Sequence, residues 1–277
     1  MQITIDQNHE NSRLDRFLRE YFNAPQAIVA GVIRKGKVKL NGKKPKQDSR
    51  LNVGDIVKIY HQFEEKNDDD VKISQHELNE FKSWIIFEND DFFAINKPYG
   101  ISSQGGIRAR LSIDVYAKNY NNEARITHRL DRETSGIMII AKNKASARNI
   151  TGLFANGLVK KQYVALSKFN PKVAKQGTIT TDIIKDIHAQ KMLAVEGQGA
   201  ITQYKIAKHN EEFALVDVFP KTGKMHQIRV HLASIGMPIC GDEKYEGMQF
   251  QRMMLHASLI EFDGFKISCK ESEDFDV

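Results

Sequence analysis

The chain of 277 residues has few cysteines and no long apolar run. Its two cysteines, Cys240 and Cys269, do not form a C-x-x-C pair, which disfavours a disulfide framework and a cysteine zinc site. No apolar run approaches the roughly 20 residues that a membrane-spanning helix needs. The polar start, MQITIDQNHENS, has neither the basic nor the apolar region of a secretory signal. These absences predict a cytoplasmic protein without a membrane segment.

Several cofactor motifs are also missing. There is no G-x-x-x-x-G-K-S/T element, which excludes a phosphate-binding loop of the nucleotide-hydrolase type. No G-x-G-x-x-G follows a predicted strand, so a dinucleotide or methyl-donor cofactor has no support. His226 and His231 are too far apart in a helix to share one face, which disfavours a zinc site. We therefore expect neither a metal nor an organic cofactor.

Charge divides the chain into three parts. Residues 1–62 carry 12 Lys and Arg against 6 Asp and Glu, whereas residues 63–91 carry 3 against 10. Basic parts on both sides of an acidic stretch favour a polyanionic partner, with nucleic acid as the first candidate. The stretch 63–80 lacks apolar periodicity and is predicted to be a solvated linker. It would separate a small domain, residues 1–62, from a large one, residues 81–277.

Apolar spacing predicts an α+β architecture in both parts. In residues 1–62 it indicates two helices, the second over Pro25–Lys35, followed by short strands. In the large domain strands and helices alternate. The predicted strands are Ile85–Phe87, Phe92–Ile95, Ile137–Ala141, Tyr163–Leu166, Thr202–Ala207 and Phe213–Phe219, and the predicted helices are Ala145–Ala155 and His226–Ile235.

The segment ITHRLDRETSGIMIIAKN, residues 126–143, carries the strongest signal. Asp131 stands between Arg129 and Arg132 and precedes a buried strand. Flanking guanidinium groups favour the ionised carboxylate, as a nucleophile or base acting on a sugar requires. A structural ion pair at a turn would show the same residues, and composition alone does not separate the two.

Three further residues are candidates for the site. In FPKTGKMHQIRVHLASIGMPICGD, residues 219–242, Arg229 is either a surface arginine or a second arginine close to Asp131. The loop NKPYGISSQGG, residues 96–106, places Lys97 where it could lie near RNA phosphates. Tyr163 begins a strand, where a tyrosine is either a core residue or a stacking platform for a base.

These three segments, together with KKQYVAL at residues 160–166 around Tyr163, resemble the RluA-type family of pseudouridine synthases over roughly residues 85–260. H-R-L-D at 128–131 and H-Q-I-R-V-H at 226–231 are the most specific parts. Residues 12–60 resemble the small RNA-binding domain first described in ribosomal protein S-four, through R-L-D at 13–15, R-K-G-K-V at 34–38 and V-G-D at 53–55. The two-domain arrangement is most similar to the RluC branch, which acts on large-subunit ribosomal RNA.

The resemblance implies a mixed or antiparallel-sheet catalytic domain behind a small α+β RNA-binding domain. It implies that Asp131 is the catalytic aspartate, that Arg229 is its salt-bridge partner, and that Tyr163 packs on the target base. Arg129 would hold the flipped-out nucleotide or its vacated place, and the reaction would need no cofactor. The small domain would bind RNA through Arg34, Lys35, Lys37, Lys39, Lys43 and Lys44.

The sequence leaves several alternatives open. The substrate could be tRNA rather than ribosomal RNA, or the chain could be a non-catalytic RNA-binding factor for ribosome assembly. Asp131 could act as a nucleophile or as a base that removes the 2′ proton. We expect a monomer, because no heptad or unexplained apolar stripe indicates self-association.

Overall fold

The computed structural model describes residues 1–22, 24, 26–61, 63, 71–105, 111–186 and 189–275. The chain divides into two compact units, residues 1–70 and 71–277. This division falls inside the acidic segment. Within the described residues, no helix is both long and apolar enough to cross a membrane.

The N-terminal unit packs two helices on a small antiparallel sheet. Strand β3 (Ile56–Ile59) lies between β1 (Gln2–Thr4) and β2 (Val38–Leu40). Helix α1 (Leu14–Phe22) buries apolar residues at helical spacing, and α2 (Gln26–Arg34) lies within the helix predicted from the sequence. The predicted first residue of that helix, Pro25, lies outside the described residues.

The C-terminal unit is built on one mixed sheet, so the expected α+β class is confirmed. Among the described residues, ten strands form this sheet, with a central order β4-β5-β7-β12-β8-β11-β10-β9, while β13 pairs with β12 and β6 with β7. Its elements are α3 (Gln75–Ser83), β4 (Ile85–Glu88), β5 (Phe92–Lys97), α4 (Ile113–Tyr120), β6 (Arg125–Ile126), β7 (Ser135–Ala141), α5 (Lys144–Ala155), β8 (Lys160–Lys168), β9 (Gln176–Asp186), β10 (Lys191–His209), β11 (Phe213–Pro220), α6 (Gln227–Ser234), β12 (Leu255–Phe262) and β13 (Phe265–Ser268).

The linker predicted over residues 63–80 is corrected in its second half. Helix α3 begins with a capping box, in which Ser74 accepts from the amide of Glu77 and the Glu77 side chain accepts from that of Ser74. Phe81 is fully buried, and its ring stacks on that of Tyr116 at 5.6 Å. Phe81 is the one buried residue of α3, so the sequence of this helix shows no apolar periodicity. Residues 64–70 of the predicted linker lie outside the described residues.

The centre of the sheet is a close parallel contact between β7 and β12. All seven residues of β7 are buried, because both faces of the strand are covered, which explains its continuous apolar sequence. Ala257 of β12 pairs with Gly136 of β7 on one side and with Tyr163 of β8 on the other. Gly136 has φ +109°, and a Cβ there would lie 2.3 Å from the carbonyl oxygen of Ala257.

Replacing Gly136 with alanine should therefore destabilise the protein by about 2–4 kcal/mol, since the added carbon meets backbone that cannot move aside. Gly152→Ala is the matched control: a Cβ at this position of α5 meets nothing within 4 Å, and the change should stabilise by about 0.5–1 kcal/mol. Urea unfolding measures both. Equal stabilities of Gly136→Ala and the parent protein would contradict the close approach.

Candidate active site

Asp131 lies in the loop between β6 and β7, and hydrogen bonds fix the backbone of this loop. The hydroxyl of Ser103 donates to the carbonyl of Leu130 at 2.7 Å and accepts from the amide of Leu130 at 3.0 Å. The amide of Thr134 donates to the carbonyl of Asp131 at 3.1 Å. The loop therefore has little freedom, while the side chain of Asp131 remains 31% exposed.

Lys97 supports the same loop from beneath. Its ammonium group is fully buried and donates to the carbonyls of Pro98, Ile101 and Arg132 at 2.7, 2.9 and 3.2 Å. Burial lowers the pKa of Lys97 to about 8. The prediction that Lys97 lies near RNA phosphates is wrong, because three backbone carbonyls already surround the charge. It joins the loop after β5 to the Asp131 turn.

Arg229 of α6 provides the main charge partner of Asp131. Its Nη1 lies 3.1 Å from Oδ2 of Asp131, whereas Nε and Nη2 bind both oxygens of Asp242 at 2.7 and 2.8 Å. The ring of Tyr245 lies 5.0 Å from the guanidinium carbon. Burial lowers the pKa of Arg229, but hydrogen bonds and charge from Asp242 and Asp131 more than reverse this, so its pKa is raised.

The charges of this cluster do not cancel. Two carboxylates share one guanidinium group, and the fork of Arg229 is mostly occupied by Asp242, whose side chain is 1% exposed. The cluster therefore contains one more carboxylate than guanidinium groups. Arg129 and Arg132, its neighbours in sequence, form no ion pair with it among the described contacts within 4.0 Å. The expectation that these flanking arginines hold the Asp131 carboxylate is wrong.

His226 also faces Asp131. Its Nε2 lies 3.9 Å from Oδ2 of Asp131, and its Nδ1 lies 2.7 Å from the hydroxyl of Tyr245. Burial lowers the pKa of His226, although the charge of Asp131 opposes this. The helix predicted from His226 begins at Gln227, because His226 adopts a left-handed conformation with φ 54°. The hydroxyl of Thr222 donates to Oε1 of Gln227 at 2.7 Å, at the start of the helix.

The remaining predicted residues meet at one cavity of about 800 Å³. Asp131, Arg129, Tyr163 and Arg229 all line it. Arg129 is exposed, and burial raises the pKa of Tyr163, so that its phenol stays neutral. The predicted RNA-binding residues belong to the N-terminal unit and lie at its surface or partly exposed: Arg34, Lys35, Lys37, Lys39, Lys43 and Lys44.

The histidine of the H-R-L-D segment is structural. Nε2 of His128 accepts a hydrogen bond from the amide of Ile139 at 2.9 Å, so Nδ1 carries the proton of the neutral ring. The ring stacks on Phe154 at 4.4 Å, and burial lowers the pKa of His128 to about 3. His128 thus fixes the start of the Asp131 loop against β7.

Sequence reasoning missed Asp242 and Tyr245. Both lie beyond α6, and no periodicity or motif spacing in G-D-E-K-Y, residues 241–245, distinguishes them from an ordinary surface turn. Only the folded chain brings them under Arg229. The amide of Met192 on β10 also donates to the Tyr245 hydroxyl at 3.0 Å, which ties this turn to the long β9–β10 hairpin.

Comparison with known proteins gives the family of this chain. The family model described as RNA pseudouridylate synthase matches residues 91–234, a span that includes Asp131, Tyr163 and Arg229. The chain belongs to the RNA pseudouridylate synthase family. The RluA-type resemblance is thereby confirmed.

Curated relatives cover most of this synthase-family chain. Ribosomal large subunit pseudouridine synthase C of Rickettsia prowazekii is 34% identical over 273 residues, covering 90% of this chain and 88% of the relative. The protein of the same name from Vibrio parahaemolyticus is 30% identical, covering 94% and 87%.

Solved structures of this family show the same fold. Human RNA Pseudouridylate Synthase Domain Containing 4 is 27% identical with a TM-score of 0.61, and covers 72% of this chain and 92% of its own. Human RNA Pseudouridylate Synthase Domain Containing 1 is 26% identical with a TM-score of 0.58, and covers 68% and 82%.

Replacing Lys97 with methionine should lower the free energy of unfolding by about 2–4 kcal/mol, because three backbone carbonyls lose their charged donor. Lys142→Met is the matched control. Its partly exposed ammonium pairs with Glu88 at 2.8 Å and donates to one carbonyl, that of Asn89, at 2.7 Å, so its loss should cost about 1 kcal/mol. Urea unfolding compares the two variants. Equal losses would mean that Lys97 does not support the loop.

Proposed function

We propose that this synthase isomerises uridine to pseudouridine in large-subunit ribosomal RNA and that Asp131 is the catalytic residue. The observation that carries the proposal is the pair of Asp131 and Arg229, 3.1 Å apart, in a cavity that Tyr163 also lines. The ribosomal substrate is supported by the names of relatives whose length this chain covers by 87–88%.

The reaction requires the target nucleotide to enter the cavity. The N1–C1′ bond breaks, the uracil turns while it stays bound, and C5 joins C1′ with loss of the C5 proton. Taking the nucleotide out of its stack costs a few kcal/mol. Contacts from the exposed Arg129 to phosphate or to the vacated place in the stack offset part of this cost. Tyr163 supplies an aromatic surface for the base.

Asp131 has one oxygen available for the substrate. Oδ2 faces both Arg229 and His226, whereas Oδ1 has no hydrogen-bond partner among the described residues. An ionised oxygen presented to the cavity suits attack at C1′, and it suits removal of the 2′ proton equally well. Arg229 holds the carboxylate in one orientation for either route.

Asp131→Asn should reduce isomerisation by about 10⁴-fold or more, because the amide is neither an anionic nucleophile nor a base. Binding of RNA should stay nearly unchanged. Glu133→Gln, in the same turn, is the matched control and should retain activity. The measurement is release of tritium from large-subunit RNA transcribed with uridine tritiated at C5.

Other outcomes of this assay separate the alternatives. Release of tritium from bulk tRNA but not from ribosomal RNA would mean that the protein is a synthase whose substrate is tRNA. Tight binding without release from any RNA would favour the non-catalytic assembly factor. An active Asp131→Asn variant would remove Asp131 from the chemistry.

We further infer that residues 1–62 form an RNA-binding domain, followed by the acidic segment and a catalytic domain that includes residues 81–277. In the described structure, none of its candidate RNA-binding residues forms an ion pair within 4.0 Å: Arg34, Lys35, Lys37, Lys39, Lys43 and Lys44. These charges extend from the last residue of α2 through β2 to the turn after it, where they suit recognition of helical RNA by shape and phosphate.

If about five phosphates are contacted, the logarithm of RNA affinity should fall with the logarithm of salt concentration at a slope of roughly −4. Glutamine at Lys37, Lys39, Lys43 and Lys44 should flatten this slope by about 3. The control replaces Arg16 and Glu20, which pair at 2.9 Å on α1, with glutamine and so keeps the net charge. An unchanged slope in the fourfold variant would refute the assignment. Filter binding at several salt concentrations measures it.

We also infer that the protein acts as a monomer in the cytoplasm and needs no cofactor. A ribosomal RNA substrate supports the location, and a reaction that only rearranges bonds within one nucleoside supports catalysis by side chains alone. Light scattering of the purified protein tests the oligomeric state, and activity after exhaustive dialysis against chelator tests the need for a metal.

A further inference from the structure

Lys161 is a cation inside the cavity without a protein counter-ion. It lies on β8 two residues before Tyr163, and therefore on the same face of the strand. Both residues line the cavity. Lys161 is half-buried, and its ammonium group makes one long hydrogen bond, 3.5 Å to the carbonyl of Thr222. Among the described residues no carboxylate lies within 4.0 Å of it.

This isolation sets Lys161 apart from other buried cations of the same unit. Arg229 has two carboxylates, Arg252 has Asp274, and Lys97 has three carbonyls. Burying an unpaired charge is costly, and burial lowers the pKa of Lys161 accordingly. A bound acceptor in the cavity would remove this cost.

The position of Lys161 favours a base over a phosphate as the acceptor. The other basic residues of the cavity that lack a protein counter-ion, Arg129, Lys221 and Lys224, are exposed, as contacts to a phosphate backbone require. Lys161 is instead half-buried beside Tyr163, the residue proposed to pack on the base. His128 lines the same cavity, and its pKa is lowered by burial and, to a smaller extent, by the charge of Lys161.

We propose that Lys161 is a further catalytic residue, which donates a hydrogen bond to a uracil carbonyl oxygen and stabilises the detached base as an anion. The proposal rests on the proposed synthase function. When the N1–C1′ bond breaks, its electron pair stays on the uracil and spreads over N1, O2 and O4. C5 then bonds to C1′, the C5 proton leaves, and N1 gains a proton. Lys161 stays protonated throughout, and no oxidant or reductant takes part.

The first test compares Lys161→Met with Lys160→Met in single-turnover assays on the full chain. Lys160 is exposed, lies on the opposite face of β8 and pairs with Glu261 at 3.6 Å, so its loss should leave the rate unchanged. Loss of Lys161 should slow isomerisation by about 10²–10³-fold, as removal of one donor to a developing anion does. The dissociation constant for RNA should change less than about threefold, since rim contacts dominate affinity.

Two further variants exclude a merely structural role. Lys161→Arg keeps the charge and should recover most of the rate. Lys161→Gln keeps a donor without charge, should remain slow, and replaces the methionine variant if that protein does not fold. Thermal unfolding of each variant reports whether the fold is intact.

A substrate with a better leaving group gives the decisive readout. RNA with 5-fluorouridine at the target forms a more stable base anion, because fluorine withdraws electrons. The defect of Lys161→Met, measured as consumption of the target nucleoside, should therefore shrink by about tenfold with this RNA.

Three results would overturn the proposal. An equal defect with both RNAs would give Lys161 a role unrelated to the base anion. A loss of RNA affinity without loss of rate would make it a phosphate contact. A rate equal to that of Lys160→Met would give it no role. Failure of the parent protein to isomerise any RNA would instead overturn the proposed function, and this inference with it.

Discussion

The site depends on how one buried guanidinium group is divided between two carboxylates. Asp242 holds Arg229 in a two-point contact that is almost completely buried, and this fixes the fork in the plane that Asp131 meets. A single Arg–Asp pair would offset more of the charge of Asp131. Because Asp242 already compensates the cation, Asp131 is oriented by Arg229 while it keeps its negative charge. Asp242 therefore fixes the position of Arg229, and Arg229 in turn orients Asp131.

The sheet brings the parts of this site together from distant positions in the chain. Asp131 and Arg229 are 98 residues apart, and they meet because β12 pairs with both β7 and β8 around Ala257. Gly136 allows β7 to approach β12 closely. This contact fixes the start of β7, which follows directly after the Asp131 loop. The buried ammonium of Lys97 and the hydroxyl of Ser103 then hold this loop, so its geometry is set by backbone contacts rather than by the carboxylate itself.

The features that could be predicted from the sequence are those that produce a local pattern of residues. Strand β7 could be predicted because burial of both its faces gives a continuous apolar run. Asp131, Tyr163 and Arg229 could be predicted because they lie in motifs that resemble those of a known family. α3 was missed because one buried ring, that of Phe81, supports it. Asp242 and Tyr245 were missed because their partners are remote in sequence. The prediction that Lys97 lies near phosphates was wrong because a sequence shows the charge of the lysine but not the three carbonyls that surround it.

The charged groups of the cavity differ in how far the protein compensates them. Arg229 is compensated in full. Asp131 is compensated in part, and Lys161 has no carboxylate within 4.0 Å in the described structure. These last two groups do not pair with each other, since none of the ion pairs within 4.0 Å joins them. An anion and a cation held apart in a half-buried cavity interact more strongly with charges that develop between them than they would in water. In the proposed reaction, cleavage of the N1–C1′ bond leaves negative charge on the base. The roles proposed for Asp131 and Lys161 would make the cavity complementary to the charged state rather than to the neutral uridine, which is what catalysis of bond breaking requires.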